Sequence, residues 1–273
     1  MPILILPPRH TPDAGAIRAA AAQAGWTIEQ LASWRAPARL QGHDLVLYGE
    51  PLFADVVTPV LGLALLEPSA NWTARLPNAY RQREVRFTTL DEARSYPIRS
   101  FIKPADDKCF PAAVYASGAS LPASTRELPD TTPVLLSEPV DWEVEFRCFV
   151  LDRAVTTFSP YWRAGVLARA DDGRWPASSH EMDAALGFVE ALLADPAVRL
   201  PAAIVVDIGR ITGRGWAVVE ANAAWGSGIY GCDALRILPV LARASLPYNA
   251  ISPEDNDWIR PRYVVEAAPE FER

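Results

Sequence analysis

The sequence predicts an α/β fold, in which a small N-terminal α/β unit precedes a larger part that alternates strands with one clear helix. Three observations support this prediction. A short apolar run, Ile3–Leu6, is followed by a capped helical segment. Polar and apolar residues alternate strictly over residues 144–150, as in a half-buried strand. Two strand-like runs, 203–211 and 216–222, flank a glycine-containing turn and indicate a hairpin.

The composition is that of a globular protein, because 50% of the 273 residues are hydrophobic and 22% are charged. A net charge of −7 gives no basic field for a phosphate backbone, so nucleic acid is not an expected partner. The longest apolar runs fall short of the roughly 20 residues that a membrane helix needs, so no membrane association is expected. Cys109, Cys148 and Cys232 form no CxxC pair. This argues against a thiolate metal site and for a reducing compartment, with the cytoplasm as the expected location.

Apolar runs and helix caps define the elements of the N-terminal unit. Thr11 and Pro12 begin a helix that continues to about Ala24 and is ended by Gly25. A second helix is predicted over residues 51–65, with a proline in its first turn and another in its interior. Strands are predicted at 3–6, 26–28 and 45–48.

A polar, arginine-rich stretch, 71–95, separates the two parts of the chain and contains one short helical piece, Leu90–Arg94. We therefore expect a domain boundary after residue 95. Beyond it, strands are predicted at 101–103, 133–140, 144–150 and 154–158, a helix at 181–194, and the hairpin of 203–211 with 216–222.

The hairpin brings two acidic side chains together. If its turn centres between Gly213 and Arg214, Asp207 lies directly opposite Glu220, and Asn222 shares the face of Glu220. Two opposed acids in otherwise aliphatic strands repel each other, and a hard cation would remove the repulsion. Oxygen ligands without His or Cys nearby favour Mg²⁺ or Mn²⁺. The alternative interpretation is a pair of surface acids in an exposed hairpin.

Candidate cations are unevenly distributed. Of the 26 basic residues only Lys103 and Lys108 are lysines, and they lie five positions apart. A lysine is a compact charge suited to a phosphate, whereas arginine is a planar fork. The alternative is two chance survivors on a solvated loop. On the strand 144–150, Glu145 and Arg147 share the polar face, either as binding residues or as a solvated ion pair.

Two further segments are weaker candidates. Residues 223–231 form a small, glycine-rich loop before a helix near Asp233, and backbone amides in such a loop can approach an anion. A plain strand-to-helix connection has the same composition. Residues 159–163 are candidates for lining an acceptor pocket, with ordinary aromatic packing as the alternative.

From Phe101 to Asp233 the chain resembles the ATP-grasp superfamily of carboxylate–amine ligases, and it is most similar to an arginine-using branch whose substrates are poorly defined. The most specific part of the resemblance is an acid on one strand, Asp207, followed by Glu220-Ala221-Asn222 on the next. The resemblance implies an N-terminal α/β (pre-ATP-grasp) domain over residues 1–95. It further implies an ATP-grasp domain of two α+β subdomains over 96–250, and a C-terminal tail over 251–273.

The resemblance also implies a role for each candidate residue, with ATP and Mg²⁺ (or Mn²⁺) as cofactors. Asp207, Glu220 and Asn222 are expected to hold the metal between the β- and γ-phosphates. The expected nucleotide contacts are Lys103 at the α-phosphate, the strand segment containing Ser137, Glu138 and Val140 at adenine, and Glu145 at the ribose. Arg147 is the candidate cation near the γ-phosphate, and Lys108 is a local substitute for the second lysine that this family usually has downstream.

The implied activity is ATP-dependent ligation of a carboxylate to an amine through an acyl phosphate, on small-molecule or peptide substrates. Two alternatives stay open. A nucleotide-binding regulatory module without turnover is favoured by the missing second lysine and by the absence of glycine from the loop 106–115. A phosphotransferase would differ only in the acceptor of the phosphoryl group. The sequence makes no prediction of the oligomeric state.

Overall fold

The structure is a computed structural model that describes residues 1–105 and 108–261. Within these ranges the strands form a parallel three-stranded sheet, an antiparallel pair and two larger antiparallel sheets. No helix in the described ranges is long and apolar enough to cross a membrane.

The first unit is built on the parallel sheet. Its elements are β1 (Ile3–Leu6), α1 (Pro12–Gln23), β2 (Thr27–Gln30), β3 (Leu45–Leu47), α2 (Pro51–Leu61) and β4 (Leu63–Leu65). β1 lies between β2 and β3 and is parallel to both. Thr11 caps α1 by accepting a hydrogen bond from the Ala14 N–H at 3.1 Å, and Gly25 follows in the left-handed region at φ 76°. These two residues confirm the predicted ends of α1.

Helix α2 is shorter than the sequence predicts. The predicted helix continues to Leu65, but α2 ends at Leu61 because Gly62 takes a left-handed conformation at φ 72° and caps it. The next three residues form β4, whose side chains are all buried. A glycine inside an apolar run is therefore the end of one element and the start of another.

A four-stranded antiparallel sheet follows. The elements of this region are α3 (Trp72–Arg75), α4 (Asn78–Arg81), β5 (Val85–Thr89), α5 (Leu90–Arg94), β6 (Ser100–Pro104), β7 (Ala113–Tyr115) and β8 (Pro133–Ser137). The strand order is β5-β8-β6-β7, and Leu90, Ile102 and Leu136 belong to its own hydrophobic core. The sequence pattern does not predict β5, since its middle residues are exposed and pairing with β8 defines it.

The central sheet has five antiparallel strands in the order β11-β10-β9-β12-β13. Its elements are β9 (Trp142–Leu151), β10 (Ala154–Arg163), β11 (Val166–Leu167), α6 (Ser179–Ala194), β12 (Ala203–Ile211) and β13 (Gly215–Asn222). One face, which includes Phe146 and Val206, packs against α6. On the other face, Phe149 and Val205 belong to the hydrophobic core of the first unit.

The described chain ends against the first unit. Its last elements are α7 (Ala234–Ala244), β14 (Ser245–Pro247) and α8 (Pro253–Asn256), and β14 pairs with β4. The boundaries at residues 95 and 250 stay predictions: β5, which precedes residue 95, pairs with β8, which follows it. Of the predicted tail, residues 262–273 lie outside the described residues.

Candidate functional site

A row of charged side chains crosses the centre of the five-stranded sheet. Arg147 of β9 is paired with Asp207 of β12, and Asp207 is paired with Glu220 of β13. The Asp207 side chain has no exposed surface, and only 8% of the Arg147 side chain is exposed. The row is therefore interior, and neither the exposed-hairpin nor the solvated-face interpretation describes these two residues.

The predicted opposition of Asp207 and Glu220 is confirmed, but the hairpin reaches it in an unexpected way. The ladder next to the turn pairs Ile208 with Val218. Continued regularly, this register would place Asp207 opposite Val219. A β-bulge at Val219 adds one residue to β13 and brings Glu220 opposite Asp207 instead. The turn centres on one residue rather than between two, and the bulge offsets the difference.

Arg147 and Asp207 form a two-pronged ion pair. The guanidinium donates from Nε to Oδ1 at 2.9 Å and from Nη2 to Oδ2 at 2.6 Å. Burial by itself lowers the pKa of Arg147, but the charge of Asp207 and the hydrogen bonds to it raise this pKa above its ordinary value. Arg147 is therefore a fixed, permanently charged group.

Glu220 is neutralised by a residue of the other antiparallel sheet. Lys103 of β6 donates to Glu220 Oε2 at 2.5 Å. Asn222 donates from Nδ2 to Glu220 Oε1 at 3.1 Å and to Asp207 Oδ2 at 3.2 Å. Although burial raises the pKa of Glu220, Lys103 and Asn222 hold it below its usual value. The predicted metal residues and Lys103 thus lie in one hydrogen-bonded cluster.

This cluster offers a hard cation only oxygen atoms. It contains two carboxylates and a carboxamide, and no group of three or more His, Cys, Asp or Glu side chains suited to a metal is found in the described residues. An all-oxygen donor set fits Mg²⁺. The repulsion between Asp207 and Glu220 is already relieved by Arg147 and Lys103, so a metal at this site would have to take the place of Lys103 on Glu220.

Glu145 lies next to this row and is protonated more easily than an ordinary glutamate. Tyr161 donates its hydroxyl to Glu145 Oε2 at 2.5 Å. Burial raises the pKa of Glu145 to about 7 although the tyrosine opposes the shift, and the nearby charges of Asp207 and Glu220 raise it further. Its partner is this tyrosine rather than Arg147, contrary to the ion pair that their spacing suggests.

Aromatic rings and the glycine-rich loop surround the Arg147 guanidinium. The rings of Tyr161 and Tyr230 stack with centroids 4.9 Å apart, and the guanidinium carbon lies 5.4 and 4.8 Å from them. Arg147 Nη1 donates to the Gly228 carbonyl at 2.9 Å. The Ile229 N–H donates to Asp13 Oδ2 of α1 at 3.2 Å, so one amide of this loop does meet an anion, from the protein itself.

The other predicted site residues lie apart from the cluster. Ser137 ends β8, and the next three residues connect the four-stranded sheet to the five-stranded one. The Glu138 N–H donates to the Glu84 carbonyl at 3.0 Å, and Val140 is half-buried. Lys108 is exposed and makes no hydrogen bond or ion pair with a described residue. Of the two lysines, only Lys103 is joined to the charged row.

One buried arginine near the site has no counterpart in the sequence analysis. Arg83, between α4 and β5, donates to the carbonyls of Val218 and Val219 at 2.7 and 2.9 Å. Its guanidinium carbon lies 5.0 Å from the Trp142 ring centroid. Since no local pattern distinguishes Arg83 from the other arginines of the polar stretch 71–95, the sequence offers no signal for it.

Comparisons with known proteins confirm the predicted fold class. A family model described as an ATP-grasp domain, the second family of its clade, matches residues 80–240. The fold is similar to D-cycloserine synthetase DcsG, at 15% identity and a TM-score of 0.56, over 88% of this chain and 98% of that one. It is also similar to a RimK domain ATP-grasp protein from Sphaerobacter thermophilus, at 15% identity and a TM-score of 0.51, over 89% and 98%.

A third similar structure is the D-alanine–D-alanine ligase from Bacillus anthracis, at 12% identity and a TM-score of 0.50, over 89% of this chain and 97% of that one. At these identities the likeness concerns the fold. No curated protein matches the sequence.

Proposed function

Since the chain belongs to the ATP-grasp domain family, we propose that it is an ATP-dependent ligase that joins a carboxylate to an amine through an acyl phosphate. ATP and Mg²⁺ are the cofactors of ATP-grasp enzymes. The carboxylate and the amine belong to small molecules or peptides.

The observation that supports this proposal is the charged cluster between the two antiparallel sheets. Lys103 of one sheet contacts Glu220 of the other, and Asn222 connects Glu220 to the buried pair of Asp207 and Arg147. Phosphoryl transfer requires positioned charges far more than a covalent nucleophile. A cluster of two fixed anions, a fixed cation and an exchangeable cation meets that requirement.

The proposed roles follow from these contacts. Asp207, Glu220 and Asn222 would hold Mg²⁺, which supplies neutralisation of phosphate charge when bound. Lys103, once separated from Glu220, is free to donate to a phosphate. Arg147 keeps its charge and its position through Asp207, so it can stabilise negative charge that develops at the γ-phosphate.

The nucleotide contacts inferred from the family pattern remain part of the proposal. Ser137, Glu138 and Val140 lie in or beside the connection between the two sheets, which places them to contact adenine. Glu145 lies on the strand of Arg147 and is proposed to accept hydrogen bonds from the ribose. Lys108 is proposed as the second phosphate lysine.

One alternative is favoured by a specific observation. Both carboxylates of the cluster already have cationic partners, which is the arrangement of a stable resting site as well as of an active one. A nucleotide-binding module without turnover would have the same contacts. A phosphotransferase would share the site and differ in the acceptor.

Hydroxylamine in place of the amine tests the proposed reaction. Protein given Mg²⁺, ATP and a pool of carboxylic acids is expected to release ADP and phosphate and to trap an acyl hydroxamate in equal amount. Glu220→Gln should abolish both products by removing one anionic ligand, whereas Glu190→Gln, on the exposed face of α6, should not. AMP with pyrophosphate would refute the acyl phosphate. ADP without hydroxamate would favour the phosphotransferase, and no turnover would favour the binding module.

A further inference from the structure

Arg83 lies outside the charged row but contacts the strand that bears Glu220. It is buried, with 8% of its surface exposed, and donates from Nη1 and Nη2 to the carbonyls of Val218 and Val219. These carbonyls belong to the β-bulge that brings Glu220 opposite Asp207. We infer that Arg83 is a positioning residue, which fastens this bulge and thereby sets the face of the sheet on which Glu220 lies.

The bulge decides which face receives the carboxylate. Side chains alternate between the two faces of a sheet, so a slip of one residue moves a side chain to the opposite face. In the unbulged register Glu220 would lie opposite Val206, whose side chain belongs to the aliphatic core under α6. A carboxylate there would be buried without a partner, and Asp207 and Lys103 would both lose their contact with it.

The contact of Arg83 is specific to the bulged register. In a regular strand successive carbonyls point to opposite sides, so a group beside the strand meets only every second one. β13 is an edge strand, and Arg83 donates to two successive carbonyls on its outer side. The planar fork of arginine matches such a pair of acceptors. Arg83 therefore stabilises the bulged register relative to the regular one.

The surroundings of Arg83 show no competing role as an ion-pair partner. All its hydrogen bonds within the described chain go to backbone carbonyls. Trp142 supports the guanidinium, and its ring lies so close to Gly209 that a Cβ there would come within 2.6 Å of it. Burial lowers the pKa of Arg83 to about 10, so the guanidinium is still charged at neutral pH. The carbonyls of the bulge are thus the groups that account for its position.

Lys103 can report the position of Glu220 without nucleotide or activity. Because the chain has two lysines, protein containing 13C-labelled lysine gives two Cε resonances, which Lys108→Arg assigns. Glu220→Gln defines the Lys103 resonance in the absence of the ion pair. Arg83→Met is expected to shift the Lys103 resonance to that same position. A Lys103 resonance that stays at its wild-type position in Arg83→Met would overturn the inference.

Arg153→Met is the matched control for this measurement. Arg153 also donates to backbone carbonyls, those of Leu193 and Val198, both at 2.7 Å, but it lies away from the hairpin. Its replacement should leave the Lys103 resonance unchanged. If Arg153→Met shifted the resonance as much as Arg83→Met, the shift would reflect general loss of stability and the inference would fail.

Deletion of Val219 separates the bulge from other effects of Arg83. The deletion converts β13 to a regular strand with Glu220 still opposite Asp207. The Lys103 resonance should then stay near its wild-type position whether or not Arg83→Met is also present. A shift caused by Arg83→Met in the deletion variant would show that Arg83 acts by another route and would contradict the inference.

The consequence for metal binding rests on the proposed function. Arg83→Met is expected to raise the Mg²⁺ concentration for half of the ATP-dependent rise in Tm by about 10–100-fold, as loss of a residue that orients a ligand does. An unchanged Mg²⁺ midpoint would contradict the inference. A wild-type protein whose Tm does not respond to Mg²⁺ and ATP would contradict the proposed function, while the lysine spectra still decide the role of Arg83.

Discussion

Arg147 and Asp207 depend on each other because both are buried. Removing one partner leaves the other charge without compensation in a low-dielectric environment. Arg147→Ala is therefore expected to lower the free energy of unfolding by about 3–5 kcal/mol, measured by urea denaturation. A loss of turnover in this variant would by itself reflect lost structure as much as lost catalysis.

Two controls make this prediction specific. Arg163→Ala removes an arginine from a similar two-pronged pair with Glu181, but 41% of the Arg163 side chain is exposed. That variant should lose about 1 kcal/mol or less. The double variant Arg147→Met with Asp207→Leu should recover most of the stability that Arg147→Ala loses. Equal losses in Arg147→Ala and Arg163→Ala would contradict the buried pair.

Glu145 makes stability depend on pH. In the unfolded chain Glu145 loses its proton near its ordinary pKa of 4.5, whereas the folded protein keeps it until about pH 7. Its contribution to stability is thus present below pH 4.5 and is lost as pH rises to about 7. Glu145→Gln removes this loss, because a neutral amide can still accept the Tyr161 hydroxyl. The unfolding free energy of the variant minus that of wild type should rise between pH 4.5 and 7 and then level off, and a flat difference would count against it.

At the scale of the element, single glycines decide where helices end. Gly62 caps α2 at φ 72°, whereas Gly187 lies exposed inside α6 with nothing within 4 Å of where its Cβ would be. Gly62→Ala should destabilise the protein by about 1 kcal/mol, because alanine is strained in that conformation. Gly187→Ala should stabilise it by about 0.5–1 kcal/mol. Thermal or urea unfolding of the two variants measures both effects, and changes of the same sign would show that the cap of α2 is not set by Gly62.

The hairpin of β12 and β13 shows how far pattern alone can go at this scale. Alternation and the turn glycines predict both strands, and they place Asp207 and Glu220 opposite each other. The bulge at Val219 leaves no mark in the pattern, because an extra aliphatic residue between two others looks like part of any buried strand.

At the scale of the molecule, the ion pair of Lys103 and Glu220 joins the two antiparallel sheets. Because Mg²⁺ with ATP would engage residues of both sheets, the two together should stabilise the fold by about 2.7 kcal/mol at a ligand concentration of 100 times Kd. The rise in Tm should be much smaller with ATP and EDTA, and Glu220→Gln should remove most of the metal-dependent part. Equal shifts with and without metal would contradict Asp207, Glu220 and Asn222 as the metal residues.

The sequence by itself determined the α/β class, most helix ends, and the strands that bear Asp207, Glu220 and Arg147. These follow from side-chain periodicity and local caps, which act over a few residues. Only the tertiary structure decided how the charges are partnered. The bonds of Arg147 to Asp207, Lys103 to Glu220 and Arg83 to Val218 join residues 60, 117 and 135 positions apart. The partners of a buried charge depend on which strands become neighbours and in what register, and no local pattern encodes a contact across such distances.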